Sequence, residues 1–391
     1  MWCTFSEEPN FGEDATSQDY VLELLSEEVV DNVNYQKVKE FTQPTAKDRF
    51  ATRFTTGGRI AVDFTYANEA WTRALACLVG SRIRLAGHAL AGSSEHWPVV
   101  TGMLAGNIDS SQTGFTITEY KTGEFDNVVG VIVNNEYLTV GAITNGVVTG
   151  AARGQGTTTA APHAGNALVY GVVADASSKL DIIKRNRDGF VYTLPTSLTF
   201  LIYRLGEYFK FNGVQFPDFV LNANPTQGVD TSFELKGKYS DIISIANPSS
   251  THDDGVLVDT DHMSVYSMNT WLDMAKMYFQ ITNSLAYAPT KFFDTTTTGF
   301  INYGMAAYGQ FSPVDDGSDF YNQYRDDDSK NLSLTISNSK TDFTHAFVFA
   351  FNNTRWGTPL RVLRTTRLIH PSIPFYTYGP EEFTIIIQSE T

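Results

Sequence analysis

Between Val229 and Lys236 the chain alternates with a period of two. Val229, Thr231, Phe233 and Leu235 fall on one side, and Asp230, Ser232, Glu234 and Lys236 on the other. That alternation marks a half-buried strand, with one face on a core and one in water. The preceding segment repeats it: Phe219, Leu221 and Ala223 line one face, while Asp218, Asn222 and Asn224 share the other with Val220. An Asn-Pro-Thr-Gln-Gly turn from Asn224 to Gly228 joins the two. The whole stretch from Ser197 to Lys238 reads as three or four consecutive strands. Such a chain must build antiparallel sheet with a polar face that is acidic or small and nearly free of cations. A catalytic pocket rarely has that character, whereas a wetted wall does.

The same stretch carries a longer pattern: Gly206, Tyr208-Phe209-Lys210-Phe211, Gly213, Phe219, Leu221, Pro225, Gly228, Val229, Ser232-Phe233 and Gly237-Lys238. In order and spacing it resembles the tail tube proteins of long-tailed (siphovirus-type) bacteriophages. A second element, Gly58, Ile60, Phe64, Tyr66, Trp71, Leu75, Leu78 and Gly80, resembles the strand and helix that open that fold. A third resembles its second half: Gly299 to Phe311, then Asp319-Phe320-Tyr321, Tyr324, Leu332 to Ile336 and Ala346 to Phe351. The resemblance implies a mainly β chain, a tail-tube β-sandwich or barrel with one flanking helix. It further implies a structural virion protein whose hexameric rings stack into a conduit for DNA. The hairpin then lines the bore, with Asp218, Asn222, Asn224, Asp230, Ser232 and Glu234 facing the lumen.

Charge fits that expectation. The formal net charge of −15 comes from 43 acidic against 28 basic residues. High-affinity nucleic-acid binding needs a Lys/Arg-rich surface, so the charge argues against tight binding but not against contact. An acidic lumen repels phosphates and lets DNA slide, while acidity also keeps an unassembled subunit soluble. Residues 1–48 hold eleven of the acidic residues against Lys37, Lys39 and Lys47, and read as an acidic N-terminal arm. The only cationic concentration, Arg355, Arg361, Arg364 and Arg367, is expected at a subunit interface against a neighbour's acidic arm. Nucleic-acid binding and a protective charged edge are the other readings of that stripe.

No stretch approaches eighteen consecutive apolar residues, so no membrane partner is expected. The N-terminus lacks a basic start and an apolar run, so a secretory signal is not expected. Cys3 and Cys77 form neither a disulfide framework nor a metal spacing, which suits a reducing cytoplasm. The virion is the expected final location.

Four segments organise the chain: the arm (1–48), a first core part (49–84), an inserted small β-domain (85–173) and a second core part (174–391). In the first core part, Gly57-Gly58 reads as a turn between two strands, and Asn68 or Thr65 as the cap of a helix carrying Trp71, Leu75 and Leu78. The insertion is rich in Gly, Ala, Thr and Val, with short strands at regular intervals. Within it, Glu136, Arg153-Gly154-Gln155-Gly156 and His163 resemble a small module of phage tail and baseplate proteins. There Arg153 and Glu136 are expected to pair across strands, and His163 to bond a carbonyl of the glycine-rich turn. The Arg-Gly-Gln-Gly run lacks the Lys-Ser/Thr and the helix of a phosphate loop. A short helix is expected around Tyr266, Trp271 and Met274.

No catalytic residue, cofactor or metal is expected. The pairs and clusters Asp253-Asp254, Asp259/Asp261, Asp315-Asp316 and Asp326-Asp327-Asp328 lack the calcium-loop spacing. His252 and His262 fix no tetrahedral set, and Ser93-Ser94-Glu95-His96 only mimics a nucleophile–base pair. The competing expectation, from a different class, is a tail or baseplate module that binds host glycan through the insertion.

Overall fold

The computed structural model describes residues 2–390 except 16, 18–19, 40–45, 67–68, 93–98, 121, 186, 189–190, 193–196, 225–227, 244–256, 259–262, 268–269, 273, 289–298, 314–324, 327–329, 340–342, 358–361, 365–366, 370–371 and 378–382. The protein is mainly β, with one numbered helix among the described residues. It opens with β1 (Trp2–Glu7), β2 (Tyr20–Glu27), β3 (Val30–Lys39) and β4 (Ala46–Asp63). Helix α1 (Glu69–Val79) and β5 (Gly80–Leu90) follow. On α1, Trp71, Leu75 and Leu78 are all fully buried, as their spacing requires. The rings of Trp71 and Phe64 meet near-perpendicularly at 4.7 Å between centroids.

The Gly57-Gly58 pair is not a turn. A single 18-residue strand, β4, runs straight through it. Glycine is needed at 58 for a different reason, because a Cβ there would lie 2.1 Å from the Glu28 carbonyl oxygen. Backbone approaches backbone at that point, just past the Glu27↔Ile60 pair that ends the β2–β4 ladder.

Between β5 and β13 (Leu168–Arg185) lie seven short strands: β6 (Thr101–Leu104), β7 (Phe115–Thr118), β8 (Gly130–Val133), β9 (Glu136–Thr139), β10 (Ala142–Thr144), β11 (Val147–Thr149) and β12 (Ala152–Gln155). They enclose an apolar cluster drawn wholly from residues 91–169, including Leu104, Phe115, Phe125, Val131, Leu138 and Val169. The β5–β13 ladder carries this module, and a second cluster bridges it to the remainder through Leu90, Tyr170, Val348 and Ile386. Two polar contacts reinforce the joint. The Tyr170 hydroxyl lies 2.8 Å from Ser333 Oγ, and the Leu90 amide donates to Gln388 Oε1 over 2.8 Å. The module is packed down, not tethered.

Next come β14 (Arg187–Asp188), β15 (Val191–Tyr192), β16 (Leu198–Arg204), β17 (Glu207–Asn224), β18 (Gly228–Gly237) and β19 (Tyr239–Ile243). The chain then forms β20 (Met263–Ser267), β21 (Thr270–Leu272), β22 (Met274–Tyr287), β23 (Phe300–Pro313), β24 (Lys330–Ser337) and β25 (Ala346–Trp356). It ends with β26 (Val362–Arg364), β27 (Arg367–Ile369), β28 (Ile373–Thr377) and β29 (Phe383–Glu390). No helix forms around Tyr266 and Trp271: β20 and β21 make a hairpin in which those two residues are register partners. Their β-branched and aromatic neighbours favour the pleated surface.

Strand pairings close a circuit, β1–β2–β4–β18–β17–β16 and back to β1. The β1 and β2 portions of the expected arm are therefore core strands, with Cys3, Phe5 and Leu22 buried. A charge count averaged over 48 residues hid two short strands whose partners lie far along the chain. Beyond Thr56, which also pairs with Gly237 of β18, the β3–β4 ribbon has ladder partners only within itself among the described residues.

β17 is where two sheets part. Its first half pairs with β16 and its second half with β22, with a register shift between Gln215 and Asp218. From β22 the second sheet continues through β23, β28, β25, β29 and β13 to β5. Phe219, Phe233, Phe279 and Phe349 fill the space between the sheets, with Phe219–Phe233 and Phe279–Phe349 each at 4.9 Å.

Candidate functional site: a polar sheet face

Along β18, Thr231, Phe233 and Leu235 are buried, while Asp230, Ser232, Glu234 and Lys236 are at least partly open. Along β17, Phe219, Leu221 and Ala223 are buried, and Val220, Asn222 and Asn224 are half-open. Hydrogen-bonded register carries this face across neighbouring strands, since paired residues point the same way. One row runs Asp63, Asp230, Asn222, Tyr278, Gln310. Another runs Ala61, Ser232, Val220, Gln280, Tyr308, Tyr376, Arg355. A third runs Arg59, Glu234, Asp218, Thr282, Ala306. Five strands at about 4.8 Å spacing make a wall roughly 20 Å wide.

Asp63 faces Asp230 directly, and like charges opposite each other on adjacent strands are destabilising. Burial, together with the nearby Glu23 carboxylate, pushes the Asp63 carboxyl above its ordinary range. The acidic character is thus kept against a local electrostatic penalty.

Two features differ from the expectation. Asp218 shares the face but is 6% exposed. It sits beside the β17 register shift, where Thr282 donates to its carboxylate over 3.2 Å and the Gln280 amide donates at 2.5 Å. Burial pushes its carboxyl up, against the pull of Gln280, Thr282 and Arg59. Cations are also present. Arg59, on β4, lies 4.0 Å from Asp218 and stands opposite Glu234, and Arg355 is exposed at the far end of the second row. Arg59 and the tyrosine and glutamine partners were missed because they lie outside the hairpin. Their own signal is legible in β22, where Tyr278, Gln280 and Thr282 alternate with the buried Met277, Phe279 and Ile281.

Of the expected interface residues, Arg361 lies outside the described residues. Arg364 and Arg367 are backbone register partners in the β26–β27 hairpin. The clusters at 253–254, 259–262, 315–316 and 327–328, His252, and residues 93–96 also lie outside the described residues. Asp326 pairs with Arg325 at 3.0 Å. Among the described residues no group of His, Cys, Asp and Glu is placed to hold a metal ion, and no helix is long and apolar enough to cross a membrane.

The insertion holds the most heavily bonded carboxylate. Glu136, fully buried, accepts from Arg153 Nε at 2.9 Å and Nη2 at 2.8 Å, so the expected cross-strand pair forms. The amides of Gly154 and Ala161 add bonds of 2.8 and 3.1 Å. His163 Nε2 lies 2.8 Å from Glu136 Oε2, so the imidazole meets this carboxylate and not a turn carbonyl. Its Nδ1 sits 3.3 Å from Asn134 Nδ2. Burial opposes the charge, yet His163, Arg153 and the two amides outweigh it and bring the carboxyl to about 2. Five donors saturate the roughly four lone-pair positions of a carboxylate, leaving none for a substrate. This network is a staple holding the 153–163 loop. Set beside known proteins, the chain matches no family model and no curated sequence.

Proposed function

We propose that the chain is a tail tube subunit of a long-tailed bacteriophage, six copies forming a ring and rings stacking into a tube through which DNA leaves the virion. One observation carries this reading: a polar sheet face five strands wide on which Asp63, Asp230 and Glu234 stand, with Arg59 the one cation in the three rows across those strands and Lys236 and Lys276 the further cations on the face. A wall of that kind contacts a polyphosphate without holding it, because there are few cations to exchange for its counterions. The motif resemblance, the mainly β content and helix α1, the one helix named among the described residues, support it. Asn222, Asn224, Asp230, Ser232 and Glu234 line the bore, with Asp218 set into the wall behind them. Arg361, Arg364 and Arg367 belong to the contact between neighbouring subunits, and other tail proteins meet the ends of the tube. The role is structural, with no cofactor.

Negative-stain microscopy of the purified protein tests this. Six-fold annuli and stacked tubes are the expected result. A trimer that binds bacterial surface saccharide would replace the conduit with the glycan-binding reading.

A further inference from the structure

We infer that Asp218 is a proton-operated balance in the wall. One proton taken up in mild acid turns a charge-neutral patch cationic, and the patch then holds a polyphosphate that it releases at neutral pH. Naming that polyphosphate as DNA rests on the tube reading above. Asp218 is 6% exposed, whereas its register partner Glu234 is half-open to water. An open hollow of about 260 Å³ borders both, with Lys236 and Leu285 among its other lining residues. That is far more than the roughly 30 Å³ share of one water, so solvent protons reach the buried carboxyl.

Few charged groups face Asp218. From β18 come Glu234 and, two residues further along the same face, Lys236. From β4, Arg59 reaches to 4.0 Å. From β22, Gln280 and Thr282 donate to the carboxylate, and the Tyr278 phenol stays uncharged, pushed up by burial, Tyr308 and Asp218. Two carboxylates therefore stand against two cations, a net charge of zero. Lys236 Nζ donates to the Leu285 carbonyl oxygen at 3.1 Å and keeps its other protons, and the Arg59 side chain is 55% exposed. Both cations can thus turn to a further anion. What tips the balance is burial, which pushes the Asp218 carboxyl above its ordinary 3.8 against the pull of Gln280, Thr282, Arg59 and the Phe219 amide. As pH falls from neutral toward that ordinary value, Asp218 becomes neutral and the patch gains one net positive charge. Arg59 then has only Glu234, its register partner, to answer it among the described residues. One added phosphate contact strengthens binding roughly tenfold at about 50 mM salt, and a ring repeats the patch in every subunit.

Filter binding of duplex DNA, followed from about pH 7.5 to about pH 5.5 at about 50 mM salt, tests this on wild type, Asp218→Asn and Arg59→Gln, with thermal unfolding as the folding check. At neutral pH Asp218→Asn is expected to retain roughly ten times more DNA than wild type, and at the acid end the two are expected to converge. Its unfolding midpoint at neutral pH should stay level or rise, since the amide avoids burying a charge. Arg59→Gln lacks the cation that protonation frees, so its gain on acidification is expected to be several times smaller than that of wild type. Curves for Asp218→Asn and wild type that coincide or run parallel through the range would overturn the switch and leave any annuli untouched. An equal acid gain in Arg59→Gln would overturn it as well. Wild type without annular particles would end the tube reading, while convergence of the two curves would still establish the switch.

Discussion

The Glu136 carboxylate shows how one buried residue sets a pH dependence. Its folded value of about 2 lies below its ordinary 4.5. The stabilisation it contributes is therefore fully present above about pH 4.5 and is lost as pH falls toward 2, a difference on the order of 3 kcal/mol. Glu136→Gln leaves Arg153 and His163 facing a neutral amide, and breaking a buried pair in this way costs about 3–5 kcal/mol. Thermal unfolding followed from pH 7 to 3 should show a lower midpoint for the variant at neutral pH and a flatter acid limb. An unchanged midpoint at pH 7 would mean that the staple contributes nothing. Gly58 is the other single-residue determinant. Glycine-to-alanine there forces a methyl onto the Glu28 carbonyl and is expected to cost about 1–3 kcal/mol in urea unfolding.

At the scale of elements, α1 and β1 carry opposite lessons. The helix was readable because Trp71, Leu75 and Leu78 follow a 3.6-residue period within a few turns. Trp71→Ala should lose about 3–5 kcal/mol, measured by chemical denaturation, because it empties the space between Phe64, Phe219 and Phe233. β1 was not readable, since Cys3↔Ile202 and Phe5↔Phe200 are contacts between distant parts of the chain. Removing residues 1–7 opens the strand circuit and uncovers the edges of β2 and β16. The truncated chain is therefore expected to aggregate or unfold at a much lower midpoint. A truncation that melts like the full chain would show β1 to be an appendage after all.

Across the whole molecule, the acidic face matters through its summed field more than through any pair. Lysine at Asn222, Asp230 and Glu234 together should cost little at the exposed Asp230 and about 1 kcal/mol at each of the partly buried Asn222 and Glu234, leaving the fold intact by thermal unfolding. The same change is expected to create DNA retention that weakens steeply with salt, and wild type is expected to show none, in a filter-binding assay at about 50 mM and 200 mM salt. Tight wild-type retention would contradict a wall built not to hold phosphates.

Period-two alternation in β17 and β18, the helical spacing in α1 and the regular short strands between 115 and 149 were all local, so the sequence by itself determined them. So was the Glu136–Arg153 pair, whose partners sit on adjacent strands. Tertiary structure decided whatever depends on residues distant in sequence becoming neighbours. It put β1 and β2 into a closed circuit, set Arg59 opposite Glu234, drew three tyrosines from β22, β23 and β28 onto one wall, and sank Asp218 below the surface that its neighbours share. The physical reason is that a strand's own pattern specifies which side it buries, whereas its partner is chosen by the packing of every other strand.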